Sequence, residues 1–351
     1  MDLSPSTNKV TKDVHRTLPS YDIESSPSSG RRSRTTSEAN GVDERLLGPA
    51  KDKKGKNLQI VFIVVFQLAT SISMTLINKA AVRALPYPIT LLLFQTLGTV
   101  LILEGGKALR LLHYDGFKWE KGGKKFLGVS IAFVIPMVFN MMALEHVSVA
   151  TVVVFRQVST ALVAVGEFVL FKKKFKMLVI LSILLGILGS LEYGFSATDF
   201  KFLGYLYSFL YAVSMAINAL YVKGIFDQLP QMSSWEKTYY QNLEGSPFLL
   251  LMALPIESIS SCVSDMAKLS YQSWVVILMS CFAGFAVSVA GILARTALSP
   301  TSFNILGNMS KPMTVLLSFF LFGVESSMKA LAGLGMVLVA GVLYSYASRK
   351  K

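Results

Sequence analysis

Blocks of apolar residues alternate with short polar segments along most of the chain, from residue 58 to residue 347. Each block has the roughly 20 residues that an α-helix needs to cross the hydrocarbon core of a bilayer. Since that core offers no water to pair with backbone groups, such segments are expected to be helices. The pattern predicts an all-α integral membrane protein with ten transmembrane helices, here called spans one to ten, near residues 58–80, 88–112, 126–144, 148–171, 177–195, 202–222, 237–255, 273–295, 302–323 and 329–347.

The first 56 residues form a different kind of segment. They are rich in Ser, Thr, Pro and Lys and have little apolar periodicity, which is typical of a disordered chain. We therefore expect residues 1–56 to be a disordered cytosolic N-terminal tail and residues 348–351 to be a cytosolic C-terminus. Of the 351 residues, 52% are hydrophobic and only 16% are charged, against about 25% charged residues in soluble domains. The composition therefore agrees with a membrane protein.

Basic residues determine the expected orientation. Lys and Arg concentrate in alternate loops, including residues 118–125, residues 172–176 and Arg295, whereas the opposite loops contain few. The positive-inside rule assigns the basic loops and both termini to the cytosol. The rule also explains the net charge of +13 without nucleic-acid binding, because no basic domain with interleaved aromatic residues stands apart. Cys262, expected in a loop, and Cys281, in a span, provide neither a disulfide framework nor a metal site.

An internal repeat relates the two halves of the chain. At an offset of 151 residues, without gaps, spans four and five align with spans nine and ten, so that Ser148 matches Ser299. Five spans are an odd number, and the second copy must therefore enter the membrane upside down. Inverted repeats are the architecture of alternating-access carriers, with the substrate site near the midplane. We expect a first five-helix repeat at residues 57–195 and a second at residues 196–347.

Charged residues inside spans mark candidate functional positions, because a charge in hydrocarbon is costly. Arg156 in span four and Lys311 in span nine enter from opposite faces, and both reach roughly 12–15 Å into the bilayer. Guanidinium and ammonium groups are strong partners of phosphate. The two cations would therefore suit an anion with more than one negative charge, such as a diphosphate. The alternative is internal ion pairing, of Arg156 with Glu192 or of Lys311 with Glu244.

Two polar segments offer further candidate contacts. In span nine, Gly307 permits close approach of backbone or ligand, and Pro312 loosens the helix. In span seven, Tyr240 lies beside the carboxamides Gln241 and Asn242. An aromatic ring can stack on a nucleobase and carboxamides can read its edge. The alternative for the tyrosine is an aromatic belt at the membrane interface.

The ten-span layout and these segments resemble the nucleotide-sugar transporters of the drug/metabolite transporter superfamily, most closely the GDP-mannose and GDP-fucose group. That group carries a Phe/Leu-Tyr-Asn-Asn motif in span seven, similar to Tyr239-Tyr240-Gln241-Asn242 here. It also carries a Gly-x-x-Asn-Lys motif in span nine, similar to Gly307-Asn308-Met309-Ser310-Lys311. The likeness covers roughly residues 58–347.

The resemblance implies that Gln241 and Asn242 read the base, that Gly307 lines the pocket and that Lys311 holds the diphosphate. Gln241 and Ser310 replace asparagines of the family motifs, which leaves a UDP-sugar open as the substrate. The expected substrate-binding residues, from the buried charges and the resemblance together, are Arg156, Tyr240, Gln241, Asn242, Phe303, Gly307, Asn308, Ser310 and Lys311.

The resemblance also implies a mechanism and a location. A cytosolic nucleotide sugar would exchange for luminal nucleoside monophosphate across the Golgi membrane, without cofactor or metal. A homodimer is one possible oligomeric state. A sugar-phosphate/phosphate antiporter of the triose-phosphate type is an alternative, but that family has an Arg after the span-nine Lys, where Pro312 stands here. An enzyme is disfavoured, because His15, His113 and His146 have no nucleophile or metal spacing around them.

Overall fold

The computed structural model describes residues 53–147, 149–194, 201–322 and 328–349. Residues 1–52 of the predicted tail, Ser148 of the repeat alignment and the last two residues lie outside these ranges. Spans one to seven correspond to helices α1–α7, and spans eight, nine and ten to α9, α10 and α11. The helices are α1 (Lys53–Ala84), α2 (Pro88–Ala108), α3 (Lys124–His146), α4 (Val149–Phe171), α5 (Met177–Gly194), α6 (Phe202–Gln228), α7 (Ser234–Ile256), α8 (Ile259–Ala267), α9 (Tyr271–Ala297), α10 (Pro300–Phe322) and α11 (Met328–Arg349).

The helices fit an integral membrane protein. Within the described ranges, seven helices are long and apolar enough to cross a membrane, and the pair α7–α8, bent by 101°, would make an eighth. Helix α5 is apolar but shorter, with Met177–Tyr193 as its apolar part. The length and apolarity of the described helices thus support seven or eight spans and do not by themselves establish ten.

Two residues that the sequence pattern assigned to loops lie in helices instead. Arg295 lies within α9, which continues to Ala297. Cys262 lies in α8 and is buried, 4% exposed, among apolar side chains of α1, α2 and α9. The expectation of loops was wrong because charge ended the apolar pattern of span eight early, and because a nine-residue helix is too short to be recognised as a span.

Helix α7 is continuous although Glu244, Gly245 and Pro247 interrupt its apolar pattern. Its start is fixed by a capping box, in which the Glu236 backbone N–H donates to Ser233 Oγ at 3.0 Å and the Ser233 N–H donates to Glu236 Oε2 at 2.7 Å. Such reciprocal capping satisfies backbone donors that the first helical turn would leave unpaired.

Eight of these helices form a closed ring in which each packs on the next. The order around the ring is α10, α4, α6, α3, α7, α2, α9, α1 and back to α10. Helices α5 and α11 pack on each other outside the ring, where α5 also contacts α4 and α11 contacts α10. The α4–α10 contact and the α2–α7 contact therefore lie on opposite sides of the ring.

Candidate substrate site

A polar seam joins α4 to α10 near the middle of each helix's length. Arg156 Nε donates to Asn308 Oδ1 at 2.9 Å, and Asn308 Nδ2 donates back to Gln157 Oε1 at 2.9 Å and to Thr160 Oγ1 at 2.8 Å. One turn away, Asn304 Nδ2 donates to Ser159 Oγ at 3.3 Å. Buried polar groups need such partners, because an unpaired one costs roughly 1–3 kcal/mol. The seam fixes the height of Arg156 relative to α10.

Gly307 lets the Arg156 guanidinium approach the backbone of α10. Arg156 Nη2 donates to the Gly307 carbonyl at 3.3 Å, and a Cβ at Gly307 would lie 3.0 Å from the same nitrogen. The carbonyl also accepts a bond from Ser310 Oγ at 2.7 Å. Ser310, although predicted to bind substrate, thus turns its hydroxyl onto its own helix. The seam takes up two of the five N–H donors of Arg156, and the other three have no partner among the described residues.

Lys311 follows the seam on α10 and is half-buried. In the part of the chain that the structure describes, no carboxylate lies within ion-pair distance of Arg156 or Lys311. Lys311 follows Gly307, whose carbonyl Arg156 contacts, by about one helical turn, so the two like charges lie near each other. The two predicted cations are therefore neighbours, and among the described residues the alternative pairs with Glu192 and Glu244 are not formed. Glu192 is exposed, and Glu244 is buried beside Ser130 and Gly123.

Tyr240 packs under the segment that connects α2 to α3. Its side chain is 1% exposed and contacts the rings of Phe117 and Phe126, with centroids 5.0 and 5.5 Å away. The Lys118 backbone N–H donates to Tyr240 Oη at 2.6 Å. The structure thus gives this hydroxyl a backbone partner on another segment, away from the seam.

Gln241 and Asn242 are buried on α7, on the side of the ring opposite the seam. Asn242 Nδ2 donates to the Thr238 carbonyl at 2.8 Å, and Ser288 Oγ donates to Asn242 Oδ1 at 3.4 Å. Gln241 is 4% exposed, and its Oε1 has no hydrogen-bond partner within the described residues. That oxygen is therefore a buried acceptor whose hydrogen-bonding capacity is unused within the described residues.

Phe303 lies beneath a cation that the sequence pattern did not single out. The guanidinium carbon of Arg295 is 4.8 Å from the centre of the Phe303 ring, a distance at which cation–π attraction operates. The ring packs in an apolar cluster of α1, α9 and α10 that includes Ile63, Leu293 and Leu306. Arg295 was missed because charge counting placed it in a loop, and only the end of α9 reveals its position.

Two glutamates cap the first turns of helices far from them in sequence. Glu167 at the end of α4 accepts bonds from the backbone N–H of Thr301 at 3.3 Å and from the Thr301 hydroxyl at the start of α10. Glu167 also pairs with Lys173 at 3.0 Å. It is 2% exposed, and we call this contact the Glu167 cap.

The second contact, here called the Glu257 cap, lies just beyond the end of α7. Glu257 Oε1 accepts from the Ile89 N–H at 2.6 Å, and Oε2 accepts from the N–H and the hydroxyl of Thr90 at 2.9 and 2.7 Å, all at the start of α2. A carboxylate is favoured there by the unpaired N–H groups and by the helix dipole. The helices other than the short α8 alternate in direction along the chain. The two caps therefore lie at opposite ends of the bundle.

Sequence comparison assigns the chain to a family. The profile of the UAA transporter family matches residues 58–348. The chain belongs to the UAA transporter family. The match covers all helices described above except the first turns of α1 and the last residue of α11.

Curated relatives of the chain confirm the predicted resemblance to nucleotide-sugar transporters near the GDP-sugar group. The GDP-mannose transporter GONST3 of Arabidopsis thaliana is 28% identical, over 79% of this chain and 76% of its own length. The GDP-fucose transporter 1 of Arabidopsis thaliana is 26% identical, over 82% and 86%. The UDP-galactose/UDP-glucose transporter 7 of the same organism is also 26% identical, over 84% and 91%.

The fold recurs in a solved crystal structure at low sequence identity. It aligns over 83% of this chain and 99% of that chain, with a TM-score of 0.64 and 12% identity. At that identity the likeness concerns the fold alone.

Proposed function

We propose that the protein is a nucleotide-sugar antiporter that exchanges a cytosolic GDP-sugar for a luminal nucleoside monophosphate across the Golgi membrane. The observation that carries the proposal is the meeting of Arg156 and Lys311 inside the bundle with no carboxylate beside them among the described residues. Buried charges persist when they are paired, and here the partner would be the phosphate of the substrate. The printed names of the relatives, which include GDP-mannose and GDP-fucose transporters, support this choice of anion.

The substrate would lie across the ring of helices. Its diphosphate would contact Lys311 and the free donors of Arg156, while Gln241 and Asn242 on α7 would face its base from the opposite side. The unpaired Oε1 of Gln241 is an acceptor that suits an N–H donor on a base edge. Both guanine and uracil carry such a donor, so a UDP-sugar is the second candidate, favoured by the relative named as a UDP-galactose/UDP-glucose transporter.

We further propose ten spans in two inverted repeats. The first repeat is α1–α5, and the second is α6, α7, α9, α10 and α11, without the short helix α8. Exchanging each helix for its counterpart reproduces the order of neighbours in the ring, with α4 replacing α10 and α2 replacing α7. The contacts of Arg156 with Gly307 and of Gln157 with Asn308 join residues separated by 151 positions, the offset of the sequence repeat. A residue that touches its own counterpart lies on the axis relating two repeats. The cation pair would thus lie on that axis, where carriers of this architecture bind substrate.

The two caps supply a physical basis for alternating access. The Glu167 cap joins the counterparts α4 and α10 at the end that carries the Lys172–Lys176 loop, and the Glu257 cap joins the counterparts α2 and α7 at the other end. Opening the bundle toward one side would break the cap on that side and leave the other intact. By the positive-inside rule, the Glu167 cap would close the cytosolic side, where both termini would also lie.

Uptake into liposomes tests the proposal. The purified protein would be reconstituted in vesicles that are empty or preloaded with GMP or UMP, and uptake of labelled GDP-mannose, GDP-fucose, UDP-sugars and triose phosphate would be measured. We expect uptake of a GDP-sugar that internal GMP drives. Lys311→Met should reduce it at least tenfold, because a hydrogen bond to a charged group is worth about 1.5–3 kcal/mol. Lys79→Met at the exposed end of α1 is the matched control.

Each other outcome rejects a defined part of the proposal. Exchange of a UDP-sugar for UMP would reject the guanine assignment and keep the mechanism. Exchange of triose phosphate alone would favour the phosphate antiporters. Equal uptake by wild type and Lys311→Met would reject the cation pair as the phosphate site.

A further inference from the structure

A cavity of about 500 Å³ opens beside the ring, away from the seam. Helices α1 and α11 each pack on α10, and the cavity is the space between them, with α10 as its floor and the α4–α5 loop as its roof. Its volume lies within the range of known small-molecule sites. The outer faces of α1 and α11 expose Phe62, Val65 and Val342, so the cavity borders the hydrocarbon of the bilayer.

The walls of the cavity change from basic to apolar with depth. Lys173, Lys174 and Lys176 line its roof, and serines of α10 and α11 lie next to them. Deeper, the lining is apolar and includes Val64, Leu68, Leu306 and Met309. Over the eight residues from Ile60 to Leu68 the wall descends about 12 Å along α1. This order of charge, hydroxyl groups and hydrocarbon follows the order of a phospholipid from headgroup to acyl chain.

The lysines of the roof are not equivalent. Lys173 is held by Glu167 at 3.0 Å. Lys174 and Lys176 are exposed and have no ion pair within the described ranges. No acidic residue lines the cavity in the described part of the chain. Two cations without an ion pair above an apolar slot therefore favour an anionic headgroup over a zwitterionic one.

We propose that an anionic phospholipid occupies this cavity, with its phosphate on Lys174 and Lys176 and an acyl chain along Val64, Leu68 and Leu306. Basic pockets between transmembrane helices on the cytoplasmic side bind such headgroups. The orientation proposed above puts the lysine end in that leaflet. The bound lipid would touch α10 at Met309, two residues from Lys311, and would contact the substrate-binding helix from outside the ring.

Native mass spectrometry of the delipidated full-length protein tests the site. Phosphatidylserine and phosphatidylcholine with identical acyl chains would be titrated onto wild type, Lys174→Gln/Lys176→Gln and the control Lys124→Gln/Lys125→Gln, whose lysines lie exposed at the start of α3. We expect wild type and control to prefer phosphatidylserine. The Lys174/Lys176 variant should lose about 30-fold in phosphatidylserine affinity, equivalent to about 2 kcal/mol for two interfacial lysines.

Two results would overturn the proposal. Equal binding of the two lipids by wild type, or equal losses in both double variants, would mean that this cavity does not select the headgroup. Displacement of phosphatidylserine by millimolar inorganic phosphate would identify a site for a soluble anion instead. Circular dichroism of each variant, expected to be unchanged, establishes that these surface substitutions leave the fold intact.

Discussion

The Glu257 cap gives the sharpest prediction, for the variant Glu257→Gln. The glutamate accepts three hydrogen bonds from the first turn of α2, at 2.6 Å from the Ile89 N–H and at 2.9 and 2.7 Å from Thr90. Glutamine is nearly the same size but has only one acceptor oxygen, and its NH₂ group is a donor. With that oxygen turned toward Thr90, the NH₂ group would face the Ile89 N–H, and two donors would oppose each other.

The size of the effect follows from these contacts. Loss of one bond to a charged acceptor costs about 1.5–3 kcal/mol. Loss of the negative charge at the helix N-terminus adds about 0.3–1 kcal/mol. Together they give roughly 3 kcal/mol, or about a hundredfold in the equilibrium between closed and open states of this end of the bundle.

Hydrogen–deuterium exchange measured by mass spectrometry follows this equilibrium, because the Ile89 and Thr90 amides exchange when the cap opens. We expect the Ile89 and Thr90 amides, followed in peptides spanning residues 86–95, to exchange about a hundredfold faster in Glu257→Gln. Glu104→Gln is the matched control, because Glu104 accepts a bond from the Tyr114 hydroxyl at 3.3 Å near the opposite end of the same helix. Exchange in Glu257→Gln within about threefold of wild type would refute the cap as the contact that closes this end.

Three further predictions concern the seam, the other cap and the outer helix pair. In Asn308→Asp the new carboxylate should pair with Arg156, and the amide donors to Gln157 and Thr160 are lost, so nucleotide-sugar uptake should fall at least tenfold. Asn304→Asp, one turn earlier, should reduce uptake less. A larger loss in Asn304→Asp than in Asn308→Asp would contradict the charge argument. In a double-mutant cycle of unfolding free energies, Glu167→Gln and Thr301→Val should couple by about 1 kcal/mol or more, whereas additive effects would mean that the Glu167 cap is not formed. Gly189→Ala would bring a Cβ to 2.8 Å from the Gly333 carbonyl, which should lower the melting temperature by about 5 °C, whereas Gly335→Ala meets open space and should leave it unchanged.

Local patterns predicted most of the helices and the meeting of the two central cations. Periodic apolar blocks located α1 to α7 and α9 to α11, because span length is set by bilayer thickness. Arg156 and Lys311 could be assigned to one level because the rise of a helix per residue is fixed. Both inferences treat each helix by itself and require only its sequence, its rise per residue and the thickness of the membrane.

Contacts between distant helices could not be predicted in the same way. Glu167 lies near the end of α4, yet its carboxylate reaches Thr301 on another helix. Tyr240 Oη bonds to the backbone at Lys118, a contact that the aromatic pattern of span seven did not predict. In both cases a backbone N–H is among the partners, and backbone donors leave no signature in the sequence.

The charge of the central site would give the proposed exchange a physical reason. A carrier returning empty would have to reorient with Arg156 and Lys311 close together and, among the described residues, without a neutralising carboxylate. Unpaired charge at mid-membrane costs about 2.5 kcal/mol per residue on insertion scales, so an empty carrier that excludes water from the two cations while it reorients would be slowed. A diphosphate-bearing sugar in one direction and a nucleoside monophosphate in the other would each neutralise the pair. The same two cations would thereby select the substrate and couple its entry to the exit of a second anion.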